Sequence, residues 1–438
     1  MSDILAELEW RGLLADCTDR AALAQRTQEG PITLYCGFDP TADSLHVGNL
    51  VPLFALRRFQ LAGHHPIALA GGATGMVGDP SGKSDERNLL TPDQLAHNLS
   101  CIKPQLARFL DFTTAKNPAR VVNNFDWTGQ VTFLEFLRDI GKYITVNSMV
   151  AKDSVRSRME ERSTGISFTE FSYMLLQGFD FLHLRETLKC ELQVGATDQW
   201  GNITVGTELT RKKLGATVWG LVFPLLTKSD GSKYGKTATG TVWLDPKRTS
   251  PYRFYQFFVN SDDADVVKLL KVLTFLTQDE ITALENELKT NPGARAAQRA
   301  LAREMTTLVH GPDECANAIR ASEAIFGGQV TQLDSSQLDM IGREVPHKLF
   351  DPANPDLSAG FNPIGAKLVD AIIFSGLFQS KNQARQAIQS GGVYLNDQRV
   401  SDPTRAIAHA DLLNRRHLVL RHGARNYVFL SAVTPISE

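Results

Sequence analysis

The sequence predicts an α/β protein: a doubly wound parallel sheet with a helical insertion, then an α-helical domain, then a small α+β domain at the C-terminus. Three observations carry this. "ITLYCGFDP", "SLHVGNLVPLFALRRFQLAG" and "HPIALAGG" follow one another as strand, helix and strand, the βαβ unit from which Rossmann-like sheets are built. "CELQVGATDQWGN" and "GLVFPLLTKSDGSKYGKT" repeat the pattern of an apolar strand opening into a polar, Gly-containing loop. From residue 261 the apolar spacing turns helical, and the last unit gathers positive charge.

The elements follow in order. Residues 1–30 read as a helical entry, with Ser2 or Asp3 as cap and Ile4, Leu5, Leu8 and Leu14 at roughly helical spacing. The first βαβ helix starts at Ser44 and stops at Gly63. The segment 125–180 differs in character. It is helix-rich and aromatic, and carries Lys142, Lys152, Arg156, Arg158 and Arg162. It reads as an insertion between two halves of a catalytic domain spanning 1–240. Residues 241–325 form the helical domain. Val266, Val267, Leu269, Leu270 and Leu273 share a face, and Thr277 with Glu280 spells a capping box. Residues 326–362, rich in Gly, Pro, Asp and Ser, read as a linker. The terminal domain, 363–438, opens a helix at Ser380, ends it at Gly391-Gly392, and turns a hairpin at Asn396-Asp397.

Composition narrows the class. A 438-residue chain is long for one core. Its 42% apolar and 21% charged residues are ordinary for a soluble protein. The acidic, amphipathic start is unlike a signal peptide, and no apolar run reaches transmembrane length. Five scattered cysteines without C-x-x-C suggest neither a zinc site nor a disulfide framework, so a reducing cytoplasm is expected. The formal net charge is −2, yet from 361 onward nine Lys and Arg face five Asp and Glu. Lys381 and Arg385, four apart, share a helix face, and the concentrated charge favours a phosphate backbone as partner.

"GMVGDPSGKSDER", Gly75 to Arg87, ends like a Walker A loop. Its first glycine position is Val77, and Asp79-Pro80 would repel phosphate and remove a donor, which argues against a phosphate-wrapping loop. "HVGN", His46 to Asn49, sits at the start of the first βαβ helix, where free N–H groups meet anions. "KYGKT", Lys233 to Thr237, supplies two lysines and a hydroxyl after an apolar strand. Two cationic elements flanking one nucleotide can stabilise charge developing on a triphosphate, with no covalent nucleophile and no metal cage.

HVGN and KYGKT are similar to the two signatures of class I aminoacyl-tRNA synthetases. "YCGFDPTADSLHVGN", "GDPSGKSDER", "GISFTEFSYMLLQGFDF" and "DQWGNI" resemble the bacterial tyrosyl enzymes of that class, and the tail resembles their S4-like RNA-binding domain. The resemblance runs from about residue 30 to the C-terminus. It implies activation of L-tyrosine with ATP and Mg²⁺, transfer to tRNA(Tyr), and a homodimer formed through the insertion. Tyr35 and Asp180 would meet the phenol hydroxyl. Asp79, Tyr173 and Gln177 would hold the α-ammonium, and Gln199 would lie beside the carboxylate. Cys36, Gly37, Asp39, Gly48, Asn49 and Asp198 would line ATP. Thr41 and His46 would meet the γ-phosphate, and Lys83, Arg87, Lys233, Lys236 and Thr237 would close over pyrophosphate. The resemblance makes the helical domain tRNA-binding, with Lys152, Arg211 and Lys212 steering the acceptor end and Lys381, Arg385, Arg399 and Arg405 gripping tRNA phosphates.

Two positions depart from the family: Asn49, where the class often has His, and Ala196, where a second Gly is usual. The alternatives are a related class I nucleotidyl transferase, such as a tryptophan-specific relative, and a non-catalytic RNA-binding homologue. A phenol-reading pair at Tyr35 and Asp180 argues against the first. The intact cationic set argues against the second.

Overall fold

The computed structural model describes residues 3–81, 90–152, 155–156, 159, 166–237, 240–327, 330–351, 361–423 and 426–436. They form two compact units, Met1–Thr249 with Ser261–Leu301, and Ser250–Asn260 with Ala302–Glu438.

The first unit is built on six strands: β1 (Asp16–Cys17), β2 (Thr33–Phe38), β3 (His65–Ala70), β4 (Arg120–Asn123), β5 (Cys190–Ala196) and β6 (Trp219–Phe223). Their order is β1-β6-β5-β2-β3-β4. All neighbours are parallel except β1, which pairs antiparallel with β6 at the edge. A parallel sheet covered on both faces needs continuous apolar strands, and "WGLVF" of β6 is buried along its whole length. The chain winds outward through β2, β3 and β4, then returns to β2's other side with β5 and β6. The reversal between β2 and β5 is the switch point where such sheets bind ligands.

Two helices follow from local chemistry and close packing. Ser167 caps Phe168–Leu188 by accepting from the Glu170 amide, and Lys189 ends it in the left-handed region at φ 54°. The helix thus runs past residue 180, the end expected for the insertion, because its apolar spacing continues to Leu188. Trp200–Leu214 lies against it. A Cβ on Gly206 would stand 3.0 Å from Phe181 Cδ1, and one on Gly178 would stand 3.1 Å from Val205 Cγ1. Beneath them Ile140, Ile144, Met149, Met174, Leu182 and Leu209 make a compact apolar cluster.

The expected 241–325 domain is divided. Helices Asp263–Leu273 and Gln278–Thr290 fall in the first unit, and Pro251–Val259 falls in the second. The cause is polar and distant in sequence. Buried Arg11 donates to the carbonyls of Lys271, Thr274 and Leu276, and buried Arg58 donates to those of Val272 and Thr274. The two guanidiniums cap the end of Asp263–Leu273 and bind it to the first unit.

In the first unit a short antiparallel pair, β7 (Lys236–Thr237) and β8 (Gly240–Thr241), follows the sheet. In the second unit the strands β9 (His347–Phe350), β10 (Val393–Leu395), β11 (Gln398–Val400), β12 (His417–His422) and β13 (Asn426–Ala432) form a sheet of order β11-β10-β12-β13-β9. The hairpin turn at Asn396-Asp397 has φ of 47° and 66°, the two left-handed residues of a type I′ turn. The 326–362 stretch, expected to be a linker, carries helix Ser335–Glu344 and strand β9 in its described part. Strand β9 pairs parallel with β13, opposite Phe429 to Ala432, a partner too distant in sequence for local pattern to reveal.

Candidate active site

At the switch point, Tyr35 of β2 is buried and its ring packs edge-on against Phe181, with centroids 5.4 Å apart. Its hydroxyl has no hydrogen-bond partner among the described residues. Burial, then the charge of Asp180, push its ionisation well above the ordinary range. Asp180, on helix Phe168–Leu188, is 2% exposed. Asn124 Nδ2 donates to its Oδ2 at 2.9 Å and Trp127 Nε1 to its Oδ1 at 2.9 Å. Burial raises the carboxyl to about 7, the two donors oppose that rise, and the charge of Asp39 adds to it. Trp127 is itself fixed by stacking on His183 at 4.5 Å.

A second polar cluster gathers on Asp79, also buried. Gln199 Nε2 donates to its Oδ2 at 2.5 Å, the Ser81 amide to Oδ1 at 2.9 Å, and Asn202 Nδ2 to Oδ1 at 3.4 Å. Asn202 also donates to Gln177 Oε1 at 3.0 Å and to Gln199 Oε1 at 3.4 Å. Beside this, Asp39 accepts from Thr74 Oγ1 at 2.8 Å and from the Tyr173 hydroxyl at 3.0 Å. The approach needs a glycine at the end of β3, since a Cβ on Gly71 would lie 2.1 Å from Asp39 Oδ1. Burial, then Asp79, raises Asp198, while Lys233 pulls it down. Burial pushes the Cys36 thiol up to about 12, so it stays neutral beside exposed Gly37.

HVGN is bonded through its backbone to the stretch that follows KYGKT, and that stretch folds back on KYGKT through the Val242 amide, which donates to Gly235 O at 3.0 Å. The Val47 amide donates to Val242 O at 3.1 Å and the Leu244 amide to Leu45 O at 2.8 Å. Gly235, at φ +86°, is pressed on Val47, where a Cβ would approach the Val47 Cβ to 3.4 Å. His46 donates its amide to Asn49 Oδ1 at 2.9 Å, and its ring packs edge-on against Trp243. Burial and then the charge of Lys236 hold the imidazole below its ordinary value, so it is neutral at pH 7. Gly48 lies half-buried between Val47 and Asn49 in the same turn. Thr41 is exposed, with its amide bonded to Asp39 O. Lys233 and Lys236 are exposed. Lys83 and Arg87 lie outside the described residues, and of Thr237 only the backbone, paired with Gly240, is described.

The residues expected to contact RNA have different surroundings. Arg211 and Arg385 are exposed. Lys152 donates to Thr204 Oγ1 at 2.8 Å, and Lys212 to Tyr143 O at 2.8 Å while pairing with Glu208. Lys381 pairs with Asp370 at 2.7 Å and Arg405 with Asp411 at 2.6 Å. Arg399 donates to Gly391 O at 2.7 Å and Ser390 O at 3.2 Å, closing the helix that ends there. Four polar partners escaped sequence reasoning: Thr74, Asn124, Trp127 and Asn202. For Asn124 a signal existed, because it follows β4 directly, at the ligand-binding edge.

With the geometry established, comparison places the chain among known proteins. The family model for class I tRNA synthetases (W and Y) matches residues 27–327. The model for the SYY-like C-terminal domain of tyrosine–tRNA ligases matches 358–430. A tyrosine–tRNA ligase of Opitutus terrae is 65% identical over 430 residues, covering 98% of this chain and 100% of that protein. One from Geobacillus kaustophilus is 50% identical, covering 98% and 99%. A crystal structure of a C-terminally truncated mitochondrial tyrosyl-tRNA synthetase from Aspergillus nidulans superposes with a TM-score of 0.68 at 33% identity, covering 74% of this chain and 95% of that one.

Proposed function

We propose, from the premise that the chain belongs to the class I tRNA synthetases as a tyrosine–tRNA ligase, that the switch-point cluster reads tyrosine from both ends while HVGN and KYGKT handle ATP. The observation that carries this reading is the buried pair of Tyr35 and Asp180. A phenol hydroxyl between them donates to the ionised Asp180 and accepts from the Tyr35 hydroxyl, which lacks a partner among the described residues. Phenylalanine would leave the Tyr35 hydroxyl unpaired and give Asp180 no hydroxyl to accept from, a penalty whose general rule was itself drawn from this enzyme family.

At the other end, Asp79 faces the α-ammonium. Tyr173 donates its hydroxyl hydrogen bond to Asp39, so its oxygen is left to accept from the same ammonium, with Gln177 beside it. Gln199 orients the carboxylate. One carboxylate oxygen then attacks the α-phosphorus of ATP, which is lined by Cys36, Gly37, Asp39, Gly48, Asn49 and Asp198. A P–O bond forms, the bond to the β-phosphate oxygen breaks, and pyrophosphate leaves. Neutral His46 donates an N–H to the γ-phosphate with Thr41. Lys233, Lys236 and Thr237, joined by Lys83 and Arg87, stabilise the charge developing on pyrophosphate. A ribose hydroxyl at the tRNA 3′ end next attacks the adenylate carbonyl and releases AMP.

Among the described residues no group of three His, Cys, Asp or Glu side chains could hold a metal ion. Mg²⁺ enters this reading as the counter-ion of the ATP phosphates. No described helix is long and apolar enough to cross a membrane. The scattered cysteines without C-x-x-C suit a reducing compartment, and on that ground we assign the work to the cytoplasm. The homodimer belongs to the same proposal. The insertion leaves large apolar side chains exposed, Leu134 at 77%, Phe168 at 67%, and Phe133 and Val146 besides, and a second copy of the chain would cover them. A monomeric mass in light scattering at micromolar concentration would contradict it. ATP–pyrophosphate exchange tests the core of the reading: it should respond to tyrosine and not to tryptophan or phenylalanine. Stimulation by either of those in place of tyrosine overturns it.

A further inference from the structure

We infer that Asp265 is a positioning residue that holds the lysine loop in register with the rest of the ATP site. The inference rests on the proposed contact of Lys233 and Lys236 with pyrophosphate. Asp265 lies in the first turn of helix Asp263–Leu273 and is 6% exposed. Its Oδ2 accepts from the Ser229 amide at 3.2 Å and from Ser229 Oγ at 3.4 Å. Two further contacts tie the same helix and its approach to the same loop. Lys268 Nζ donates to Thr227 O at 3.2 Å, and the Tyr234 hydroxyl lies 3.4 Å from Ser261 Oγ.

The loop is a compact hairpin. Thr227 is bridged to Lys233, the Tyr234 amide donates to Leu226 O at 2.9 Å, and the Lys228 amide donates to Ser232 O at 2.9 Å. Fixing Thr227 and Ser229 therefore fixes the base of Lys233 across the hairpin. The helix that supplies Asp265 is in turn clamped at its far end by Arg58, which belongs to Leu50–Leu61, the helix that starts directly after Asn49. A closed circuit results. It runs from HVGN along its helix to Arg58, through Asp263–Leu273 to Asp265, and across Ser229 to Lys233. The backbone bonds between Leu45–Val47 and Val242–Leu244 close the other side. Rigid supports of this kind hold charged groups where transition-state charge appears, and loosening them costs rate more than ground-state affinity.

Carboxylates in a first helical turn also serve the helix dipole. That role predicts lost stability with unchanged kinetics, so the two separate by experiment. In the full-length protein, Asp265→Ala should lower kcat of ATP–pyrophosphate exchange about tenfold, with the tyrosine Kd from equilibrium dialysis unchanged. Asp265→Asn, whose amide oxygen still accepts from the Ser229 amide, should recover most of that loss. Hydrogen exchange of residues 226–234 should rise in the Ala variant. Adding Lys233→Ala to Asp265→Ala should cost little more than Lys233→Ala alone, because one acts through the other. If Asp265→Ala does not fold, Lys268→Ala at the exposed tether must lower kcat in the same direction. Full kcat in the folded variants, or additive losses in the double variant, overturns the inference. Full kcat in Lys233→Ala would instead bring down the pyrophosphate reading beneath it.

Discussion

Trp127→Phe removes one N–H from Asp180 and keeps an aromatic ring to stack on His183. The carboxyl of Asp180 stands at about 7, raised by burial and restrained by donors from Asn124 and Trp127. A hydrogen bond to a charged group contributes roughly 1.5–3 kcal/mol, and one pKa unit is about 1.4 kcal/mol. Losing the Trp127 donor at the lower end of that range lifts the carboxyl by about one unit, toward about 8. Tyrosine needs the ionised form as acceptor, so activity rises with pH as the proton leaves. At about pH 7 the ionised fraction falls from about one half to about one tenth, and kcat/KM for tyrosine falls about fivefold. The loss should disappear above about pH 9, where both proteins are ionised. The assay is pyrophosphate exchange at limiting tyrosine across this range. A midpoint that stays in place or moves to lower pH would refute the reasoning. Folding follows the opposite sign. A carboxyl raised from 3.8 to about 7 makes stability fall as pH rises through that window, because the unfolded chain releases the proton first.

His46→Ala and Lys233→Ala should each cut exchange kcat by about a hundredfold or more and leave tyrosine binding in dialysis unchanged; a collapse of binding would mark them as structural. Gly206→Ala puts a Cβ 3.0 Å from Phe181 and should cost about 1–3 kcal/mol, read as a lower Tm, while an unchanged Tm would show that the helices can separate freely there. Removing the chain from about residue 350 should preserve pyrophosphate exchange and abolish tRNA charging, with a shallower salt dependence of RNA binding. Equal loss of both activities would mean that the tail supports folding.

The parallel sheet was legible because buried strands read as apolar runs that end abruptly in polar glycine loops, and four such runs recur. The hairpin at Asn396-Asp397 was legible because both residues tolerate positive φ. Strand β9 was not, because "HKLF" has no strand pattern of its own and takes its identity from β13. Helix Asp263–Leu273 was legible as a helix but not as part of the first unit, since Arg11 and Arg58 look like surface charges until their carbonyl partners are known. The same limit governed the site. Tyr35, Asp79 and Asp180 stand in motifs that resemblance could point to. The groups that orient them, Asn124, Trp127 and Asn202, act through hydrogen bonds spanning 53 to 123 residues, and no local period encodes those.

The seam between the two cationic motifs also sets a timetable for the nascent chain. The Asp245 amide donates to Ser44 Oγ across 201 residues, beside the bonds that join Leu45–Val47 to Val242–Leu244. A ribosome adding about 5–20 residues per second needs roughly 10–40 s to make the second half of that seam after the first. During that interval HVGN has been synthesised without its partner strand, and ATP meets at most half of its cradle. The earliest moment at which a new chain could grip a triphosphate is therefore fixed by translation speed, whatever the folding rate of the sheet itself.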